Sequence, residues 1–373
     1  MNSGKNLYIW AHNDWPHWRY DRQKIEQLLG QVRHAQGHLL GRMSHLGLEL
    51  KTQASFQTIT QDVIKTSAIE GETLNLDTVR SSIAVRLGLD IGALTPADRH
   101  VDGIVEMILD ATGNAQKPLT LKRLKGWHAA LFPTGYSGMS AIKVGAIRND
   151  ATGPMQVVSG PPHKQKVHFQ APPAKQLGSE LKVFLAWLAE DGLHDPVIKA
   201  GLAHLWFVTL HPFDDGNGRI ARAIGDMVLA QSELTGQRYY SLSSQIQKER
   251  KSYYEQLEAT QKGSMDVTAW LEWFLGCLLR AIQGADEQLS HVLFKSVFWQ
   301  HWAGVSMNTR QIKLMNKMLD GFEGKLTTSK WASIAKCSTD TALRDITELL
   351  ELGVLQRSES SGRSTSYLLA KLP

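Results

Sequence analysis

Cysteine is scarce in this sequence, and long apolar runs are missing from it. Only Cys277 and Cys337 occur among 373 residues, and they lie far apart. This excludes a disulfide framework and a zinc-binding spacing, and it favours a reducing compartment. No apolar run reaches the length of a membrane span, and the first residues contain no signal-peptide core. We therefore expect a cytoplasmic protein that does not insert in a membrane.

A large excess of charge of either sign is also missing. The 41 basic and 36 acidic side chains give a formal net charge of +5. A mildly basic chain permits an anionic ligand but does not demand nucleic acid. With 11 tryptophans and 42% hydrophobic residues, the chain is long enough for two or three globular domains.

Hydrophobic periodicity predicts a mainly α protein in three parts. Residues 1–96 form a helical N-terminal region, residues 97–288 a helical core, and residues 289–373 a separate domain. Between residues 138 and 173 the pattern changes to short β-prone runs and turn residues, which predicts a β-hairpin inserted in the core. The chain ends in helix, turn, helix and hairpin, with the hairpin turn at residues 360–363. This order is the winged-helix pattern.

One segment, residues 211–222, combines a histidine, two carboxylates, two glycines and two arginines. It reads His-Pro-Phe-Asp-Asp-Gly-Asn-Gly-Arg-Ile-Ala-Arg. Gly216 and Gly218 allow positive φ angles that turn N–H groups inward, and a loop of this kind before a helix is a ready anion site. Arg219 and Arg222 share a helix face near the amino terminus, where cations oppose the helix dipole unless an anion is bound. The segment therefore predicts a bound polyphosphate.

Asp215 and His211 add chemistry to this anion site. A carboxylate conflicts with bound phosphates unless Mg²⁺ bridges them, and Mg²⁺ suits such sparse oxygen ligation. His211 can act as a general base near neutral pH. The alternative is a hydrogen-bonded loop histidine beside a solvated charge cluster, which would be favoured for a single residue but not for this combination. The residues thus predict a nucleophile activated by histidine, a metal-bound phosphate and an electrostatic cradle.

The same segment resembles the Fic family signature, H-x-F-x-[DE]-G-N-G-R-x-x-R, at every constrained position. The resemblance covers about residues 97–261. It implies a helical domain with a β-hairpin flap and, as in most members, transfer of AMP from ATP to a Ser, Thr or Tyr hydroxyl of a protein. His211 would deprotonate that hydroxyl, and Asp215 would hold Mg²⁺. The phosphate-binding residues implied by the resemblance are Gly216, Asn217, Gly218, Arg219 and Arg222.

Residues 66–71, Thr-Ser-Ala-Ile-Glu-Gly, resemble the inhibitory motif of the family, [ST]-x-x-x-E-[GN]. They precede the core, as in members with an N-terminal inhibitory helix. The resemblance implies that Glu70 pairs with Arg222 and takes the place of the γ-phosphate, so that bound ATP is misaligned for attack. An ordinary glutamate at a helix end is the alternative.

Two further regions resemble family segments that lie near the protein target and the nucleoside. The flap is expected to pair its extended edge with a target segment and to bring the acceptor hydroxyl near His211. A surface hairpin without a partner is the alternative. Tyr253 or Tyr254 is expected to contact adenine or ribose, with the other tyrosine in the core. The flap residues are Gly145, Arg148, Val157 and Val158.

Other functions compete with AMP transfer. The same site could remove AMP from a modified protein, with Glu70 orienting a water, or transfer a different phosphate-containing group. The chain could also be a DNA-binding regulator, although the helix at residues 339–352 carries four carboxylates and one arginine and suits phosphates poorly. The implied partners are ATP and a target protein, for which this chain itself is one candidate. A second copy in a homodimer is implied from the resemblance alone. We expect the chain to be a bacterial cytoplasmic enzyme.

Overall fold

The computed structural model describes residues 8–91, 95–161, 164–190, 192, 194–319, 326–358 and 365–370. The chain divides into two compact units, Met1–Ala285 and Asp286–Pro373. The predicted mainly α fold is confirmed, since strands in the described residues occur only as two-stranded hairpins. Within those residues, no helix combines the length and apolar character needed to cross a membrane.

Helices dominate the first unit, and polar caps fix several of their starts. Asp21, Asn75, Asp98 and Thr120 each accept backbone N–H groups that the first turn of a helix would leave unpaired. The helices up to the unit boundary and across it are α1 (Arg22–Ser44), α2 (Leu48–Ile69), α3 (Leu76–Leu87), α4 (Arg99–Gly113), α5 (Leu121–Leu131), α6 (Leu177–Ala189), α7 (Pro196–Leu210), α8 (Asn217–Glu233), α9 (Leu242–Lys248), α10 (Arg250–Gln261) and α11 (Thr268–His301).

The centre of the first unit is the pair α7 and α8. Every residue of α7 from Ala200 to Leu210 is buried, so this helix is apolar on all sides and carries little amphipathic pattern. Two of its buried polar side chains have partners in the core: His204 Nε2 lies 2.9 Å from the Tyr253 hydroxyl, and Thr209 accepts a hydrogen bond from Gln261. The loop between α7 and α8 is therefore anchored at both ends in the core.

One predicted helix is interrupted. The sequence pattern gives a single helix over residues 244–261, but the structure has α9 and α10 with a turn at Glu249. The Glu249 carboxylate is bound by Arg280 of α11 at 2.6 Å. A long-range ion pair of this kind has no local sequence signal, which is why the periodicity alone misses the turn.

The hairpins of the first unit lie between α5 and α6, where the sequence predicts them. Strands β1 (Tyr136–Ser137) and β2 (Ser140–Ala141) form a short ribbon. Strands β3 (Gln156–Ser159) and β4 (Lys166–Gln170) pair antiparallel, with Val157 opposite Phe169 and a register shift after Val157. The predicted inserted hairpin is thus present. The side chain of Phe169 on β4 is buried and anchors the hairpin in the protein.

The second unit has the element order expected from the sequence. It contains α12 (Thr309–Leu319), α13 (Thr328–Ala335), α14 (Thr339–Glu351) and the antiparallel strands β5 (Leu355–Arg357) and β6 (Tyr367–Leu369). Its core is a cluster that includes Phe298, Leu314, Trp331 and Ile346. The predicted hairpin turn at residues 360–363 lies outside the described residues. Assignment of this unit as a winged helix stays a prediction.

Candidate active site

The loop between α7 and α8 begins at His211 with a left-handed backbone. Its φ is 48°, and its N–H donates to the Phe207 carbonyl oxygen at the end of α7. Positive φ is uncommon for a residue with a Cβ. The neighbouring structure holds it in place: Arg148 Nε donates to the His211 carbonyl oxygen at 2.7 Å, and the Arg148 N–H donates to the Pro212 carbonyl oxygen.

The imidazole of His211 is set up as a neutral base. Its Nδ1 lies 3.3 Å from the Val208 carbonyl oxygen and so carries the proton, which leaves the lone pair on Nε2. Burial lowers the pKa of His211 to about 4, so the ring is neutral at pH 7. A neutral ring with a free Nε2 can accept a proton from a hydroxyl.

Gly216 is required for both conformation and space, whereas Gly218 lies within α8 without a positive φ and is required for space alone. Gly216 has φ of 78°, and a Cβ there would lie 2.9 Å from the Phe132 ring. A Cβ at Gly218 would collide with the Glu70 carboxylate. Gly218, one of the two glycines that the sequence assigns to phosphate binding, therefore lies directly against the Glu70 carboxylate.

Phosphate binding at Asn217 stays a prediction, and the structure shows that its side chain is used within the loop. Its Oδ1 accepts from the Phe213 N–H at 3.0 Å, and its Nδ2 donates to the Phe213 carbonyl oxygen at 2.9 Å. Because both ends of the amide are used and the residue is buried, the side chain closes the loop and does not reach a ligand. This contact fixes the loop just ahead of α8.

Glu70 and Arg222 form the contact that the sequence predicts. Glu70 Oε1 accepts from Arg222 Nη2 at 2.6 Å, and Arg222 is only 2% exposed. Thr66, the first residue of the six-residue motif, accepts from Arg222 Nε at 2.7 Å through its hydroxyl and from Nη2 through its carbonyl. Arg222 Nη1 is buried without a hydrogen-bond partner among the described residues. The guanidinium therefore retains capacity for a further acceptor.

Arg219 is held by a second acidic residue, Glu72, which the sequence reading missed. Arg219 Nη1 lies 3.2 Å from Glu72 Oε2, and its guanidinium covers the Phe132 ring at 5.1 Å. The other carboxylate oxygen, Oε1, lies 2.5 Å from Nε2 of His100. Glu72 follows Glu70 by two residues, but one acidic residue after a helix is too common to be a signal.

The Asp215 carboxylate accepts a hydrogen bond at each of its oxygens, and its predicted role as a Mg²⁺ ligand stays a prediction. Its Oδ1 accepts from the Gly216 N–H at 2.6 Å, and its Oδ2 accepts from the Ser137 hydroxyl. Among the described residues, no three acidic, histidine or cysteine side chains are grouped to hold a metal ion. A single carboxylate beside an anion site fits Mg²⁺ that is bound chiefly by phosphate oxygens and water.

Two flap residues have positions that differ from the prediction. Arg148 is buried and donates to Asp150 and to the Pro172 and His211 carbonyl oxygens, so it supports the base and offers no surface to a target. Gly145 donates its N–H to His128 Nδ1 at 2.9 Å, and the His128 ring stacks on Phe213. The flap is therefore tied to the loop through buried groups that sequence reasoning did not find.

The other two flap residues agree with an edge that can pair. Val157 and Val158 lie on β3, which pairs with β4 and with no second strand among the described residues. Val158 is 40% exposed. His168 on β4 contacts Glu258 of α10 at 2.6 Å, which fixes the hairpin beside α10.

The two tyrosines of α10 divide into a core residue and a surface residue. Tyr253 is 1% exposed and bonded to His204, so it is the tyrosine of the pair that lies in the core. Tyr254 is 37% exposed, and its hydroxyl donates to the Ile69 carbonyl oxygen at 3.2 Å. The Arg250 guanidinium also lies over its ring, with Cζ 5.4 Å from the ring centroid. Tyr254 thus lies next to the turn that holds Glu70.

These features define a class of site: a loop entering a buried helix, with two buried arginines and a neutral histidine, in a mainly α fold. Comparison with known proteins identifies a domain within the chain. Residues 118–229 match the model of the Fic/DOC family, and residues 8–89 match a Domain of unknown function (DUF4172). The chain therefore contains a Fic/DOC domain.

Similar proteins support the same domain. "Protein adenylyltransferase Fic" of Aedes aegypti is 26% identical over 282 residues, which are 73% of this chain and 50% of that protein. The protein of the same name from Culex quinquefasciatus is 26% identical over 64% of this chain and 44% of its own length. The chain thus spans about half the length of these curated relatives.

Solved structures share the fold. A Fic family protein from Desulfovibrio desulfuricans G20 has a TM-score of 0.52 at 21% identity, and the match covers 94% of this chain and 97% of that one. Fic-1 of C. elegans, residues 134–508, has a TM-score of 0.50 at 21% identity, covering 71% and 73%.

Proposed function

We propose that this protein transfers AMP from ATP to a Ser, Thr or Tyr hydroxyl of a protein, and that Glu70 restrains the reaction. The observation that carries the proposal is the place of the Glu70 carboxylate. It lies against Gly218 at the amino terminus of α8 and 2.6 Å from the buried Arg222. A helix amino terminus with a buried arginine attracts an anion, and here a side chain takes that position. The relatives named as protein adenylyltransferases support the choice of reaction.

The chemistry follows from the geometry of His211. The acceptor oxygen attacks the α-phosphorus of ATP, the bond to the β-phosphate oxygen breaks, and pyrophosphate leaves. The hydroxyl proton passes to Nε2 of His211, which is neutral and free to accept it. Arg219, Arg222 and the N–H groups entering α8 stabilise the negative charge that moves onto the leaving group. Asp215 would hold Mg²⁺, which would neutralise phosphate charge when bound.

The restraint follows from competition for one anion position. While Glu70 occupies it, the distal phosphates of ATP lose the helix amino terminus and one hydrogen bond to Arg222. A hydrogen bond between charged groups is worth about 1.5–3 kcal/mol. Removing the competitor should therefore raise the rate of transfer by about ten- to a hundredfold.

Incubation of the purified protein with ATP labelled at the α-phosphate tests this proposal. Glu70→Gly should label itself or added protein faster than the wild type, and His211→Ala should abolish labelling in either background. Glu49→Gly is a matched control, since Glu49 is an exposed glutamate on the same helix and should leave the rate unchanged.

The labelled bond also separates the alternatives. Label from the α-phosphate of another nucleotide, but not of ATP, would favour transfer of a different group. Release of AMP from a pre-modified protein that is lost in Glu70→Gly would favour removal of AMP, since that reaction needs Glu70. Absence of labelling and of release with every nucleotide would refute the site as a nucleotidyl transfer centre.

A further inference from the structure

Glu72 lies between two basic side chains, His100 and Arg219. It directly follows the six-residue motif at residues 66–71 and is not part of it. Its Oε2 is 3.2 Å from Arg219 Nη1, and its Oε1 is 2.5 Å from His100 Nε2. The Glu72 side chain is 35% exposed, whereas that of Arg219 is 6% exposed. The acidic side chain therefore borders solvent, while the arginine beneath it is fixed in the protein.

Both ring nitrogens of His100 face acceptors, which favours the cationic form of the ring. Nε2 faces the Glu72 carboxylate, and Nδ1 lies 3.0 Å from the Leu131 carbonyl oxygen. An imidazole satisfies two acceptors only when both nitrogens carry protons. The hydrogen bond with Glu72 raises the pKa of His100, and the same bond lowers the pKa of Glu72, which agrees with a charged pair.

The backbone directs two carboxylates from one turn toward α8. Gly71 has φ of 87°, and the N–H groups of Glu70 and Glu72 both donate to the Ser67 carbonyl oxygen at 3.0 Å. This left-handed glycine ends α2 and brings Glu70 to Arg222 and Glu72 to Arg219. Both signature arginines are thus occupied by side chains that lie two positions apart, on either side of Gly71.

Arg219 retains unused binding capacity in this arrangement. Its Nε is buried with no hydrogen-bond partner among the described residues, and only Nη1 contacts Glu72. Two cations therefore face one carboxylate. The negative charge of Asp215 is the other acidic influence on Glu72, and it raises the pKa of Glu72. A group with two or more negative charges would complement this pair better than Glu72 does.

We propose that Arg219 and His100 form a phosphate-binding site that Glu72 fills in the nucleotide-free protein. The ligand class is a terminal phosphate of a polyphosphate, including the pyrophosphate product. His100 is then a binding residue for the leaving group, and Glu72 is a second competitor beside Glu70. The proposal rests on the proposed function for the polyphosphate, but it adds a residue and a restraint outside the motif.

Binding of inorganic pyrophosphate, with neither ATP nor an acceptor present, tests the proposal by calorimetry. Glu72→Gln keeps the size of the side chain but removes its charge, so pyrophosphate should bind about tenfold more tightly, as expected for loss of one charged competitor. Replacement of His100 by asparagine in the Glu72→Gln protein should reverse this gain. Glu106→Gln, an exposed glutamate of α4, should bind as the wild type does.

A second readout reports on His100 directly. In ¹⁵N-histidine-labelled protein, the His100 ring resonances, assigned by their loss in His100→Asn, should shift when pyrophosphate binds to the wild type. In Glu72→Gln the pKa of His100 should fall. Equal affinity in wild type and Glu72→Gln, or pyrophosphate binding that leaves the His100 resonances in place, would overturn the proposal. If Glu72→Gln does not fold, the wild-type titration decides.

These measurements are independent of group transfer. Failure of the pyrophosphate experiment would leave any labelling by Glu70→Gly standing. Conversely, absence of labelling with every nucleotide would not affect whether Glu72 competes with pyrophosphate for His100 and Arg219.

Discussion

Replacing Glu70 should make the nucleotide-free protein less stable while it makes the enzyme faster. Arg222 is 2% exposed, and Glu70 supplies its charged partner at 2.6 Å. Breaking a fully buried ion pair costs about 3–5 kcal/mol. The Glu70 side chain is 33% exposed, so water can replace part of the lost contact, and two hydrogen bonds from Arg222 to Thr66 remain. We therefore expect Glu70→Gln to lower the free energy of unfolding by about 1–3 kcal/mol.

Calorimetric unfolding measures this change. For a unit of this size, 1 kcal/mol corresponds to a shift of about 2 °C, so the Tm of the first unit should fall by about 2–6 °C. Glu49→Gln should leave the Tm unchanged, because Glu49 is exposed and its side chain accepts no hydrogen bond from the site.

Addition of ATP and Mg²⁺ provides the sharper comparison. A ligand at a hundred times its Kd stabilises the folded state by about 2.7 kcal/mol. Since ATP supplies the anion that Glu70→Gln lacks, the variant should gain more stability than the wild type at the same ATP concentration. The reasoning is refuted if the variant melts with the wild type, or if ATP raises both melting temperatures equally.

Three further predictions concern residues around the base and in the core. Arg148→Met should lower kcat by about tenfold or more with a small change in KM for ATP, because it releases the His211 carbonyl without touching phosphate; steady-state labelling kinetics measure both constants. Burial lowers the pKa of His211 to about 4, so the base should stay active well below pH 6.5. The kcat/KM of Glu70→Gly should therefore fall only as the pH approaches 4, and a fall in kcat/KM near pH 6.5 would contradict this. Tyr253→Phe should cost about 1 kcal/mol in urea unfolding because it removes the bond to His204, whereas Tyr254→Phe should cost less, since its hydroxyl is partly exposed.

The parts of the site that could be predicted from sequence are those whose conformation is set by residues close together along the chain. The loop and α8 follow from Gly216 and the helix start, because positive φ and an open amino terminus are local properties, whereas the positive φ expected at Gly218 is absent. The contact of Glu70 with Arg222 spans 152 positions, and it was accessible only because both ends lie in recognisable motifs. Physical pattern alone would not have joined them.

The parts that sequence reasoning misassigned or missed depend on burial and long-range contacts. Arg148 looks like a flap residue, but its bonds to His211 and Pro172 place it inside the protein. Asn217 carries a side chain suited to phosphate, but the Phe213 backbone uses both of its ends. Tyr253 and Tyr254 are indistinguishable by type, and only helix phase decides which one faces the core.

The turn that ends α2 connects stability with restraint. Arg219 and Arg222 are buried at the amino terminus of α8, where the helix dipole adds to their positive charge. Such an arrangement is costly without an anion, because buried unpaired cations destabilise the fold. Glu70 and Glu72 supply that anion from within the chain, at the position that we propose for the phosphates. A variant that frees both arginines should therefore depend on nucleotide for its stability, so the two carboxylates that we propose slow the reaction should also keep the nucleotide-free protein folded.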